Sequence, residues 1–449
     1  MFEHTGPALI QKNATKIPRA VQFCFTLSFL IILSLFPAWS SAQAIPSTLF
    51  STTLINRTST WPLIPLGAEG KPAMTKWVYD EQVKGVFNWT TLDSFVAGAN
   101  SHGVPIMWTH EGAPPWAVGG KTDCTSSSNY SLPQCNCSFA ADGTSIQCYG
   151  AVTELAGLHD FIVALVTRYD GNHAHGTIAA YELYNEPNNF FTGGMANLVA
   201  QANTVHDAIR GANASALILG IGLDVPDTYF ASGNYMDQFW SGGGTKDLDV
   251  VSFHGYPHHP PLDNSPETIN DYVTTIKACI ARNGVSAAIW DTEGSYGNAA
   301  YGVTDINSRV GWLARSFLLH WANGVTRYDW YSYDDNQWGT LLSASGQLNA
   351  AGVAYGKVHD WMVGATMSSC SIVSGSVWTC VLTRPNKSVA QVVWDTSGSS
   401  TYTPAAEFIQ YEDLAGNTSR VAGGVTIGIM PIMLEGGPSA PTNLTVVVH

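Results

Sequence analysis

Two glutamates in this chain of 449 residues close β-rich runs: Glu186 in "IAAYELYNEPNNFF" and Glu293 in "AAIWDTEGSYG". A pair of carboxyl groups can serve one glycosidic bond, one protonating the departing oxygen while the other attacks the anomeric carbon or activates water. A single glutamate at a strand end is more often a surface carboxylate capping a turn, so the reading depends on both residues meeting. Their duties differ: Glu186 must hold a proton, helped by an apolar rim and a nearby second carboxylate, while Glu293 must stay charged through hydrogen bonds from its neighbours. Other polar and aromatic groups also end β-rich runs: His110 and Glu111 in "WTHEG", His254 and Tyr256 in "FHGY", Trp330 and Tyr331 in "YDWYSYD". Sugar rings stack on aromatic planes, so Phe190 and Phe191, outside the strand and beside Glu186, are expected to wall a subsite.

The elements that must carry these residues alternate. After residue 45, short β-rich runs alternate with longer stretches of helical period, such as "LAGLHDFIVALVTRY" before "TIAAYELYN" and "INSRVGWLARSFLLHWANG" before "VTRYDWYSYD". Taking "TLFSTTLI" as the first strand and the region from Gly67 to Met74 as the site of the second gives eight strands, which predicts a (β/α)8 TIM barrel. In that fold active sites lie at the C-terminal ends of the strands. Glu186 would end the fourth strand and Glu293 the seventh, facing each other across the mouth. From 366 to 435 the pattern changes to short alternating strands with turn residues, read as a small C-terminal β-sandwich. The expected organisation is a signal peptide over 1–44, the barrel over 45–365, the sandwich over 366–435 and a Pro- and Gly-rich tail over 436–449.

"YELYNEPN" resembles the fourth-strand acid/base motif of clan A glycoside hydrolases, and "APPWA … RYDGNHAHGTIAAYELYNEPN" is most similar to glycoside hydrolase family 39. The resemblance implies a retaining enzyme acting on β-linked sugars by double displacement, with Glu186 as acid/base and Glu293 as nucleophile. It further implies that Asn185 bonds the sugar 2-hydroxyl, that Tyr256 or His254 holds Glu293 ionised, and that Trp330 floors the subsite of cleavage. His110 joins the substrate-binding candidates from its place at the third strand end. The chain departs from the family pattern at the second strand, where an Arg is usual and "GAEGKPAMTKW" offers Lys71, a charge without the fork geometry of a guanidinium. In "WDTEGSYG", Asp291 shares strand parity with Glu293. It is expected either to approach that residue and raise its pKa or to point into the barrel and bind Lys or Arg.

Composition narrows the partners. Charged residues make up 12% of the chain and the formal charge is -14, which repels polyphosphate, so a carbohydrate substrate is expected and nucleic acid is not. Lys12, Lys16 and Arg19 precede the apolar run from Val21 to Phe36, and Ala42 and Ala44 form an A-x-A cleavage pattern, marking a secreted protein. That run falls short of the roughly 20 residues needed to span a bilayer, so no membrane association is expected after cleavage. An oxidising compartment allows two bridges among Cys124, Cys135, Cys137 and Cys148, in any of three connectivities, and one between Cys370 and Cys380, leaving Cys279 as a buried thiol. No cofactor or metal is expected. The rival metal set, His254 with His258, His259 and Asp263, lies in the Pro-rich stretch "HGYPHHPPLD", which a loop bound to sugar or solvent explains as well. The missing second-strand Arg leaves a non-catalytic sugar-binding barrel as the alternative, and a transglycosylase differs from a hydrolase only in what resolves the covalent intermediate.

Overall fold

The computed structural model describes residues 43–55, 61–71, 75–119, 137–139, 146–256, 265–297, 302–335 and 337–436. The signal segment, Cys124, Cys135, the loop with His258, His259 and Asp263, and the tail beyond 436 lie outside them.

Eight parallel strands form one sheet: β1 (Phe50–Thr52), β2 (Ala68–Glu69), β3 (Met107–Thr109), β4 (Ala180–Asn185), β5 (Leu217–Asp224), β6 (Val250–His254), β7 (Ala288–Gly294) and β8 (Val325–Trp330). Their spatial order is β2-β1-β8-β7-β6-β5-β4-β3, and a parallel bridge from Glu69 to Ile106 joins the two ends into a closed barrel. Helices lie between the strands, among them Leu155–Arg168, Met195–Ala212, Ile269–Asn283 and Ile306–Ala322. Their local signals are ordinary ones. In Ile269–Asn283 the buried residues Ile269, Tyr272, Val273, Ile276 and Cys279 recur at helical period, and Gly284 ends the helix at φ 65°. Asp305 caps the helix Ile306–Ala322 by accepting from the Ser308 N–H.

Inside the barrel, Met107, Ala180, Leu219 and Val250 form an apolar plug. Burying side chains of the size of Leu219 contributes about 1.5–3 kcal/mol each, and truncation there would cost about 2–5 kcal/mol. Above the plug lies a polar layer in which the buried Glu182 accepts from Thr109 Oγ1 at 3.1 Å and from Thr292 Oγ1 at 2.9 Å. The mouth opens above this layer.

Residues 366–436 form the antiparallel part. Six strands, β9 (Thr366–Ser374), β10 (Val377–Thr383), β11 (Val389–Asp395), β13 (Phe408–Glu412), β14 (Thr418–Arg420) and β16 (Ile432–Gly436), make one sheet. β12 (Ser399–Tyr402) and β15 (Val425–Gly428) pair as a second. Val393, Phe408, Val425, Ile427 and Leu434 fill the space between the two. The barrel with a small C-terminal β-sandwich anticipated from the sequence is therefore the observed architecture. Glu267 joins its two parts, accepting from Arg315 Nη1 at 3.1 Å on the barrel side and Trp394 Nε1 at 3.0 Å on the sandwich side. Disulfides link Cys137 to Cys148 and Cys370 to Cys380, and Cys279 is a free, buried thiol. Among the described residues no helix is long and apolar enough to cross a membrane.

Candidate active site

The fourth strand ends at Asn185, and Glu186 follows at φ 42°, ψ 54°, a left-handed conformation that turns the chain into the short helix Pro187–Phe190. Such strained positions in non-glycine residues are concentrated at functional sites. Here the turn aims the carboxyl at His254, which ends β6: Nδ1 lies 2.6 Å from Glu186 Oε1. Asn189 Nδ2 donates to the other oxygen at 3.2 Å. His254 is also 3.8 Å from Glu293 Oε2. One ligand atom from each of Glu186, His254 and Glu293 lies within 4.8 Å of the others, the one such group of three among the described residues. A cation there would compete with groups already in place, because His254 Nδ1 is bonded to Glu186 and Lys71 pairs with Glu293.

Glu293 reaches the mouth through a change of register. Between β6 and β7 the pairing runs Phe253 with Asp291, then His254 with Glu293, so Thr292 is an extra residue in the ladder. An irregularity of this kind re-aims the following side chain. Thr292 faces Glu182 inside the barrel, and Glu293 turns to accept from the Tyr256 hydroxyl at 2.9 Å and to pair with Lys71. Burial would raise the Glu293 carboxyl, but Lys71 and then His254 hold it below its usual value. Burial likewise opposes charge on His254, yet Glu293 and Glu186 together raise it from 6.5 to about 9. Burial and the Glu293 charge push the Tyr256 phenol well up, so it remains a hydrogen-bond donor.

Lys71 stands where the second-strand Arg was missed. Its Nζ lies 2.6 Å from Asn185 Oδ1 as well as against Glu293, and its ammonium is 5.8 Å from the centre of the Tyr331 ring. Despite burial, Glu293 and Glu111 raise its pKa well above the ordinary lysine value. Because Lys71 engages Oδ1 of Asn185, the amide Nδ2 is the group left to donate. Beside it, Glu111 Oε1 takes Lys76 Nζ at 2.6 Å and the Tyr149 hydroxyl at 3.1 Å, and Phe190 packs 5.6 Å from the Tyr149 ring.

Three expectations need correction. Trp330 does not floor the site: it is 0% exposed, donates to Gly339 O at 2.7 Å and packs against Tyr296 and Trp312, on the outer side of β8. Tyr331, one residue on, takes the inner position. His110 also faces outward, 0% exposed with Nε2 2.7 Å from Gln201 of the helix Met195–Ala212, and burial lowers its pKa to about 3. Thr109 and Glu111 on either side of it point inward, as strand alternation requires. Asp291 neither approaches Glu293 with its charge nor binds a Lys or Arg, because the extra residue Thr292 leaves it facing outward to His320 at 2.7 Å. Of the two phenylalanines, Phe191 is packed against Tyr184 in the wall and Phe190 flanks the Glu111 cluster. Glu182 was missed by sequence reasoning, although a second glutamate in the apolar run four residues before Glu186 was a visible signal.

A closed barrel with glutamates after β4 and on β7, and a β-sandwich beside it, is a fold that this chain shares with solved glycoside hydrolases. Among them, a family 39 glycoside hydrolase from Bacteroides cellulosilyticus superposes with a TM-score of 0.66 at 14% identity, over 87% of this chain and 81% of that one. A family 30 endoxylanase from Clostridium papyrosolvens gives 0.56 at 12% identity over 88% and 97%, and a family 44 xyloglucanase from Paenibacillus polymyxa gives 0.54 at 15% over 88% and 98%. No protein-family model and no curated protein matches the sequence.

Proposed function

We propose that the protein is a secreted retaining glycoside hydrolase that cleaves β-glycosidic bonds of an oligo- or polysaccharide by double displacement. The observation that carries this reading is the approach of Glu186 and Glu293 to within 4.8 Å at the barrel mouth, each with a different set of partners. Retaining enzymes place their carboxyl groups about 5 to 5.5 Å apart, whereas inverting enzymes leave about 6.5 to 9.5 Å for a water. Glu293, kept ionised by Lys71 and Tyr256, attacks the anomeric carbon. Glu186 gives its proton to the departing oxygen, and the His254 N–H at 2.6 Å then stabilises the carboxylate that forms. In the second half-reaction Glu186 takes a proton from the incoming water, and the glycosyl–Glu293 ester is broken with net retention. Asn185, its amide oriented by Lys71, donates to the sugar 2-hydroxyl, and Tyr331 supplies the aromatic surface under the ring.

The alternative of a non-catalytic sugar-binding barrel drew on the missing second-strand Arg, and Lys71 now supplies a cation at that place. Export is supported by the N-terminal pattern and by the two disulfides, which suit an oxidising compartment. The similar solved structures include proteins named endoxylanase and xyloglucanase, so xylan and xyloglucan are the first polymers to try. The test is a panel of these polymers and aryl β-glycosides with wild type, Glu186→Ala and Glu293→Ala. Both variants should lose activity, and azide should restore turnover of Glu293→Ala with inverted product. Two variants as active as wild type on a cleaved substrate would refute the assignment, and sugar binding without release of reducing ends would favour the binding alternative.

A further inference from the structure

Behind the nucleophile lies a buried acid–imidazole pair that the reaction scheme does not use. Asp291 is 0% exposed, and its Oδ2 is 2.7 Å from His320 Nε2 of the helix Ile306–Ala322. His320 Nδ1 lies 2.7 Å from Ser316 O, and a carbonyl oxygen only accepts, so Nδ1 carries a proton. The contact between Nε2 and Oδ2 then holds one proton, on either atom. In both cases the pair has no net charge. Glu293, two residues away, therefore meets no second net negative charge from behind, although an aspartate stands there.

The other oxygen of Asp291 accepts two backbone N–H groups, from Gly255 at 3.0 Å and from Glu293 itself at 3.3 Å. Gly255 separates His254 from Tyr256, the residues that contact the two glutamates. One carboxyl group thus ties the end of β6 to the end of β7 just where both enter the site. The approach is close enough to require glycine: a Cβ on Gly255 would stand 2.1 Å from Asp291 Oδ2. His320 is in turn held by ring stacking on Tyr328 at 3.9 Å.

We propose that Asp291, neutralised and anchored by His320, is a positioning residue that fixes the nucleophile Glu293 relative to His254 and Tyr256. The inference rests on the glycosidase reading above. It assigns no contact with substrate, so its loss should slow the chemical step and leave substrate binding nearly intact, since misplacing a reacting group by about 1 Å can cost roughly 100-fold in rate.

The experiment compares wild type, Asp291→Ala and Asp291→Asn on the best substrate from the panel, with active sites counted by the burst of dinitrophenolate from the matching 2-deoxy-2-fluoro glycoside. Asp291→Ala should lower kcat per titrated site by roughly 10- to 100-fold with KM changed by less than about threefold. Asp291→Asn should recover most of the rate, because its Oδ1 still accepts both N–H groups and its Nδ2 donates to neutral His320. If Asp291→Ala does not fold, His320→Gln takes its place: it keeps a donor to Asp291 but not the neutralising proton, and should lower kcat per site several-fold at constant KM. Unchanged kcat per site in the folded variants, with only the melting temperature lowered, would overturn the inference and leave the glycosidase reading standing. A wild type inactive on the whole panel would overturn both.

Discussion

Lys71 and Glu293 form an ion pair across the barrel mouth, one following β2 and the other lying on β7, and the same ammonium lies 2.6 Å from Asn185 Oδ1. A single lysine thus touches the proposed nucleophile and the residue preceding the proposed acid. Lys71→Met removes the largest influence that keeps the Glu293 carboxyl low. In the proposed reaction Glu293 must be ionised, so raising its pKa moves the acidic limb of the kcat/KM profile to higher pH. The variant should also lose roughly 100-fold in kcat/KM at the optimum, the scale expected when a preorganised electrostatic partner is deleted. Lys71→Arg keeps the charge and should retain the position of the limb better than Met does. An acidic limb shared by wild type and Lys71→Met would refute this.

His254 makes a second pH-dependent contribution, of opposite sign. Its folded pKa is raised from 6.5 to about 9 by Glu293 and Glu186 against burial, with Lys71 opposing them. A group raised on folding stabilises fully below its unfolded value and loses that contribution as pH rises through the folded one. The melting temperature of wild type should therefore exceed that of His254→Asn by the most below about pH 6.5, and the gap should close as the pH passes about 9. Thermal melts from pH 5 to 10 measure it, and a gap that widened with pH would contradict the assigned charge.

Gly222 on β5 tests how closely this histidine is held. A Cβ there would stand 2.8 Å from His254 Nε2 and 2.9 Å from Glu182 Oε1, both buried. Gly222→Ala should cost about 1–3 kcal/mol in stability through overpacking. It should also lower kcat per folded molecule, because the imidazole can yield only by turning away from Glu186. Wild-type turnover in this variant would mean that the 2.6 Å contact is dispensable.

Seven of the eight strands and the two glutamates were legible in the sequence because each rests on a local pattern: apolar runs alternating with helical periods, and a polar residue where a run stops. What the sequence misplaced depends on the face each strand turns inward. His110 and Trp330 look like site residues by type, yet Glu111 and Tyr331, one step along, point into the mouth. Alternation would have favoured Glu111 only once Thr109 was known to face Glu182. Asp291 was misread for another reason, since the extra residue Thr292 breaks the two-residue period on which parity arguments stand. Lys71 was visible as a charge, but the strand before it is two residues long and has no period to reveal its direction.

The joint between barrel and sandwich should affect stability without touching chemistry. Arg315 is 7% exposed, and its guanidinium is paired with Glu267, which also accepts from Trp394. Glu267→Ala would remove the carboxylate that pairs with this buried cation and accepts from Trp394, and breaking a buried pair costs up to about 3–5 kcal/mol. Denaturant melts should show that loss, while kcat and KM of the folded fraction stay at wild-type values because Glu267 is bonded to the helix Ile306–Ala322 and the sandwich rather than to the mouth.

Trp330 and Tyr331 allow the sharpest separation of stability from catalysis, because they are chain neighbours on opposite faces of the barrel wall. Trp330 is 0% exposed, donates to Gly339 O at 2.7 Å and sits edge-on to Trp312 at 5.9 Å, so its surroundings are those of a core residue. Trp330→Phe keeps a ring but removes the donor, leaving a carbonyl unsatisfied at a cost of about 1–3 kcal/mol, with turnover per folded molecule unchanged. Tyr331 lies 5.8 Å from the Lys71 ammonium, and burial together with the Glu293 charge raises its phenol, so it stays neutral beside the nucleophile. Tyr331→Ala should leave the melting temperature within a few degrees of wild type and lower kcat/KM by roughly 10- to 100-fold, because an aromatic surface beneath the sugar is lost and the ring no longer holds its place in the mouth. Melting curves and steady-state kinetics on the two variants decide the matter: if Trp330→Phe loses turnover and Tyr331→Ala does not, the floor of the site belongs to the tryptophan, and the strand face assigned to it here is wrong.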